Sequence, residues 1–132
     1  LDIKLKHLDE YAAARCQAAA FYDDAFKNIE ELQTPVREKN STHVFHQYTL
    51  RVGGGERDQL QKPLEEVGVP AMIYYPIPLY RQEAFTDYVA TDFNLPTTEK
   101  LCDEVLSLPI HTEMNEELLN FISKQVKSFF QR

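Results

Sequence analysis

Apolar residues at helical spacing open the chain. Over residues 4–26, Leu5, Leu8, Ala12, Ala19, Tyr22 and Phe26 recur three, four and seven apart in an alanine-rich run without glycine or proline, which predicts one long amphipathic helix. Its length, roughly 33 Å at 1.5 Å per residue, exceeds what a domain of this size needs and suggests a connecting element. Residues 30–42 are polar, contain Pro35 and keep neither period, so they read as a loop with a short extended piece at 34–36. Residues 44–52 alternate, with Val44, His46, Tyr48, Leu50 and Val52 on one strand face. Three glycines, Gly53 to Gly55, break that strand before a helix over 57–67 with Leu60, Leu64 and Val67 on one stripe. Pro63 is expected to kink or split this helix, and Gly68 to stop it.

Residues 69–75 suit a strand that ends at Tyr75, where Pro76 and Pro78 remove backbone donors. The loop after it, 77–82, is stiff and carries hydroxyl, guanidinium and amide groups, an arrangement that suits a ligand-facing site and a well-packed turn alike. Residues 83–94 read as irregular, briefly helical at 84–88. A helix follows from Pro96 to Val105, then a short strand over 106–110. Asn115 caps a final helix whose buried stripe is Leu118, Leu119, Ile122, Val126 and Phe129, with Glu116 and Glu117 at its positive end. The fold class is therefore α+β: a small sheet of about three strands, helices on one face and a long N-terminal helix. One economical order places the 106–110 strand antiparallel between the other two.

Composition narrows the function classes. The 132 residues are 43% hydrophobic and 27% charged, enough for one domain with an ordinary core. A net charge of -7 argues against nucleic acid as a partner. No apolar run is long enough for a membrane span and no signal pattern opens the chain, so a cytoplasmic location is expected. Cys16 and Cys102 read as reduced thiols rather than a disulfide framework. The first residue is Leu rather than Met and the helical pattern starts almost at once, as in a piece of a longer protein.

Candidate chemistry outside the 74–82 stretch is sparse. The glycine triplet lacks both P-loop and dinucleotide spacing and reads better as a turn than as a phosphate cradle. His43 and His46 should point to opposite faces and hold no metal. His46 and Tyr48 share a face, either lining a cleft or joining the core. His111 with Glu113 reads as a solvated turn. No serine or cysteine nucleophile stands out, and no lysine lies in an apolar niche, so no catalytic, cofactor-binding or metal residue is assigned within this chain.

Several segments in order carry a resemblance: KLKHLD at 4–9, Arg15 with Tyr22, HQY at 46–48, RDQL at 57–60, YYPIPLYRQ at 74–82, Leu95-Pro96, Glu99-Lys100 and EVLSLPI at 104–110. Together they resemble the C-terminal part of DegT/StrS-type aminotransferases, pyridoxal-phosphate-dependent enzymes acting on keto sugars carried on nucleotides. The resemblance implies that the whole chain, 1–132, is a small domain that closes over the active-site cleft of a homodimeric enzyme. A missing large domain would hold the pyridoxal phosphate and supply the Schiff-base lysine, so this piece is not catalytic alone and no cofactor is expected in it. The same resemblance assigns Tyr74, Tyr75, Tyr80, Arg81 and Gln82 to the substrate side. Histidines are common in the family where Tyr74 and Tyr80 stand; tyrosine keeps a hydrogen-bonding tip but loses titration near neutral pH. The alternative from another class is a free-standing α+β module that binds a small ligand or dimerises.

Overall fold

The computed structural model describes residues 2–88 and 93–131. Its elements are α1 (Asp2–Leu5), α2 (Leu8–Phe26), β1 (Leu32–Gln33), β2 (Tyr48–Val52), α3 (Arg57–Glu66), α4 (Pro96–Glu104), β3 (Val105–Leu108) and α5 (Glu116–Phe130), with short 3₁₀ turns at Leu79–Arg81 and Glu83–Tyr88. This is the expected α+β architecture. The sheet runs β1-β2-β3 and is antiparallel throughout, with Tyr48 opposite Leu108 and Leu50 opposite Leu106. Those four side chains, with Val52, face a core completed by Ala18, Ala19, Tyr22 and Phe26 of α2, Leu60 and Leu64 of α3, and Ile122, Val126 and Phe129 of α5. The opposite face is polar: Thr49 bonds Ser107 at 2.8 Å, and Arg51 donates to Glu104 at 2.7 Å.

Aromatic packing ties the longest helix to the sheet. Tyr22 lies 5.7 Å from the Phe26 ring and 5.0 Å from that of Tyr48. Each buried phenol keeps a partner, Tyr22 donating to the Pro109 carbonyl and Tyr48 to Asp23. Burial pushes both hydroxyls well above the usual tyrosine range, and the Asp23 carboxylate adds to the shift at Tyr48. Asp23 also accepts two bonds from Arg37, whose guanidinium sits over the Phe45 ring, so the 34–47 loop is fastened to α2.

Several expectations need correction. The single helix over 4–26 is divided between Leu5 and Leu8, where the His7 amide bonds back to Lys4. Every described residue up to Glu10, Leu5 and Leu8 among them, is exposed, so burial does nothing to hold a continuous helix through the first turns. The strand over 44–52 starts at Tyr48, because Phe45 takes a positive φ of 46° that turns its ring into the core and leaves Val44 and His46 outside. His46 and Tyr48 therefore do not share a face. The extended piece sought at 34–36 lies instead at Leu32–Gln33, as β1.

Pro63 does not split α3. The helix loses one internal bond, but Leu60 and Leu64 are fully buried and keep it docked. Val67 is exposed; beyond Gly68, which adopts φ 79°, Val69 takes the buried place expected of it. The strand over 69–75 shrinks to one antiparallel bridge, Met72 with Ser107, since Pro70 offers no donor and the Ala71 amide turns back to Val69. That bridge still puts β3 between β2 and the Met72 segment, the order anticipated. The irregular stretch at 83–94 shows its helical turn at Glu83–Tyr88, while 89–92 lie outside the described residues.

Candidate functional site

The proline-locked loop after Met72 sits on the α4 side of the sheet. Pro78 leads into the turn Leu79–Arg81, closed by bonds from the Arg81 amide to Pro78 and from the Gln82 amide to Leu79. Those bonds hold the turn to itself. A carboxylate ties it to the rest of the fold: Glu99 Oε1 accepts from the Tyr80 hydroxyl and, at 2.5 Å, from Arg81 Nη2. The Arg81 guanidinium lies 5.9 Å from the Tyr80 ring, and Phe93 meets that ring edge-on at 5.2 Å.

Of the five residues assigned from the sequence, Tyr80 and Arg81 are thus brought together, on a residue that assignment left out. Tyr74 and Tyr75 pack edge to face on each other at 5.9 Å, joined by a cis peptide bond, and Tyr75 is 71% exposed. Gln82 is exposed, and its carbonyl accepts the Phe85 amide. Two concavities flank the Glu99 tie. One, of about 400 Å³, is almost wholly apolar and is lined by Leu79, Tyr80, Phe85, Tyr88, Phe93 and Leu95. The other, of about 260 Å³, is polar and presents Arg81, Glu99 and Asp103 beside Pro76, Ile77 and Pro78.

Glu99 is built into α4, whose first turn it occupies with its amide bonded to the Leu95 carbonyl, and α4 runs straight into β3. Hydrogen bonding from Tyr80, then from Arg81, holds its carboxyl below the usual glutamate value despite some desolvation. The Tyr80 hydroxyl and Glu99 in turn raise the Arg81 guanidinium. Because the folded carboxyl is depressed, the tie's contribution is complete above the ordinary carboxylate value and is lost as pH falls through the depressed one. A carboxyl carbon-13 titration of Glu99 should therefore show a midpoint below that of a free glutamate. Tyr80→Phe should move that midpoint upward more than Arg81→Ala does, and an unshifted midpoint in the unaltered protein would contradict the tie.

The other candidates resolve as turns. Gly54 and Gly55 adopt positive φ between β2 and α3, and Glu56 and Asp58 set negative charge where a phosphate would approach. His43 and His111 each accept an amide two residues on. Among the described residues no His, Cys, Asp or Glu cluster could hold a metal, no helix is long and apolar enough to cross a membrane, and Cys16 and Cys102 form no disulfide. Nor do the residues present fit pyridoxal phosphate. Every described lysine except half-buried Lys127 is exposed, and Lys27 and Lys100 face Asp24 and Glu104. No lysine stands in an apolar niche facing an anion cradle.

The chain as a whole is similar to known proteins. The DegT/DnrJ/EryC1/StrS aminotransferase family matches residues 1–127. A pleiotropic regulatory protein of Geobacillus stearothermophilus is 36% identical over 98% of this chain and 35% of its own length. UDP-2-acetamido-2-deoxy-3-oxo-D-glucuronate aminotransferase of Pseudomonas aeruginosa is also 36% identical, over 90% of this chain and 32% of its own. Among solved structures, S. venezuelae DesV in complex with a ketimine intermediate superposes with a TM-score of 0.92 at 27% identity, over 99% of this chain and 35% of that one. The chain thus spans about a third of the length of the relatives it matches.

Proposed function

The chain belongs to the DegT/DnrJ/EryC1/StrS aminotransferase family, and on that premise we propose that it forms the C-terminal small domain of a pyridoxal-phosphate-dependent aminotransferase acting on nucleotide-linked keto sugars. In this reading the cofactor and its lysine reside in a larger part of a homodimeric protein. Residues 74–82 close over the cleft and meet the substrate, with Tyr74, Tyr75, Tyr80, Arg81 and Gln82 on that side.

The observation that carries the reading is the exposure of this loop. Tyr74, Tyr75, Ile77 and Leu79 stand in solvent on a backbone stiffened by Pro76 and Pro78, beside a polar concavity that presents a guanidinium. A segment with so little freedom left to lose, showing aromatic rings and a cation, suits contact with a sugar face and an anionic nucleotide. The name of the Pseudomonas aeruginosa relative supplies the substrate class.

The test uses the full-length protein loaded with cofactor, L-glutamate as amino donor and a UDP- or dTDP-linked keto sugar. Amination of the sugar is expected, and the double variant Tyr74→Ala/Tyr75→Ala should raise KM for the sugar about tenfold or more while sparing the reaction with glutamate. No sugar amination at all, or a double variant indistinguishable from the parent, overturns the proposal. Residues 1–132 alone, treated with pyridoxal phosphate and borohydride, should show only scattered labelling. Stoichiometric labelling of one lysine would place the chemistry in this chain instead.

A further inference from the structure

We infer that Glu99 is a positioning residue for the substrate loop, acting through Tyr80 and Arg81 to fix where the Arg81 guanidinium stands for an anionic group of the nucleotide-linked sugar. The inference rests on the function proposed above. Three observations carry it. One carboxylate oxygen takes both side chains of the turn, so the two donors are fixed relative to each other as well as to α4. The carboxylate itself is anchored, because α4 continues without a linker into β3, which pairs with β2 on one side and Met72 on the other. Guanidinium N–H groups of Arg81 beyond those turned to Glu99 and the Tyr80 hydroxyl stay available, since its side chain is 58% exposed and borders the polar concavity.

The chemistry follows from donor counting. Tyr80 has one hydroxyl proton and commits it to Glu99, so it serves as a brace and not as a donor to ligand. Arg81 has five donors in a rigid fork, and the bond from Nη2 orients that fork while leaving others outward for a phosphate or carboxylate. Without Glu99, the long, exposed Arg81 side chain would lose the bond that fixes its fork and would sample many rotamers. The ordering cost would then fall on substrate binding.

Two readouts test this on the full-length protein. Trypsin cleavage after Arg81, under native conditions, reports on the tie without any substrate. Glu99→Ala is expected to speed it about tenfold, as loss of a charge-assisted bond implies, and Glu99→Gln, which keeps an acceptor oxygen, by less. In kinetics, Glu99→Ala should raise KM for the nucleotide-linked keto sugar by about the same factor, with the glutamate half-reaction changed by less than about twofold. Cleavage unchanged in Glu99→Ala overturns the tie. Faster cleavage with an unchanged KM, or with both half-reactions falling together, overturns the positioning role. If the unaltered protein aminates no nucleotide-linked sugar, the functional proposal itself fails, and the cleavage rates still report whether Glu99 holds the loop.

Discussion

Tyr22→Ala is expected to cost the fold roughly 5 kcal/mol, a large share of the about 5–15 kcal/mol that stabilises a domain of this kind. The side chain is completely buried, packs against Phe26 and Tyr48, and donates its hydroxyl to the Pro109 carbonyl at 3.0 Å. Truncation removes an aromatic ring from the seam between α2 and the sheet, worth roughly 3–5 kcal/mol in other cores, and leaves the carbonyl after β3 without its donor. Tyr22→Phe separates the two contributions, because it keeps the ring and should lose only about 1 kcal/mol. Urea unfolding followed by circular dichroism gives both numbers. A Tyr22→Ala protein within about 1 kcal/mol of the parent would mean that α2 is not clamped to the sheet through this residue.

The legible and illegible parts of the fold divide along the line between local and tertiary causes. Asn115 was readable as an N-cap, and its side chain does accept the Leu118 amide at 2.8 Å, because a cap depends on residues three apart. α4 was readable for the same reason, as Pro96 opens it; β3 was readable in place but not in bounds, since the strand expected over 106–110 runs from Val105 to Leu108 and stops before Pro109. Phe45 was not, since its positive φ is supported by contacts with Arg37 and Tyr48 that no local alternation encodes. Pro63 misled in the opposite direction: a local rule forbade what burial of Leu60 and Leu64 sustains. At the site, the loop was conspicuous from its prolines and tyrosines, whereas its partner Glu99 lies eighteen positions from Arg81. A first-turn glutamate looks like any helix-dipole charge, and the resemblance, which included Glu99-Lys100 among its segments, gave it no role at the site.

Arg57→Ala should cost about 3 kcal/mol and should reach the candidate site through α4. Arg57 is one of the few charged residues in the interior, with its guanidinium donating to the carbonyls of Cys102 and Val105 and to Asp58. Those two carbonyls stand where α4 ends and β3 begins, at the negative end of the helix, so a cation there satisfies orphan acceptors and opposes the helix dipole together. Removing it strands both acceptors and opens space along the aliphatic stem. Arg57→Lys retains the charge with a single nitrogen and should recover only part of the loss; Arg57→Met fills the space and should recover less. Because Glu99 rides on the same helix, Arg57→Ala is expected to speed trypsin cleavage after Arg81 while also lowering the urea midpoint. Glu99→Ala should speed cleavage with a smaller drop in the midpoint than Arg57→Ala gives. If Arg57→Ala leaves the midpoint where it was, the junction between α4 and β3 is held by other contacts, and the rigidity ascribed to the Glu99 anchor has to come from the sheet pairing alone.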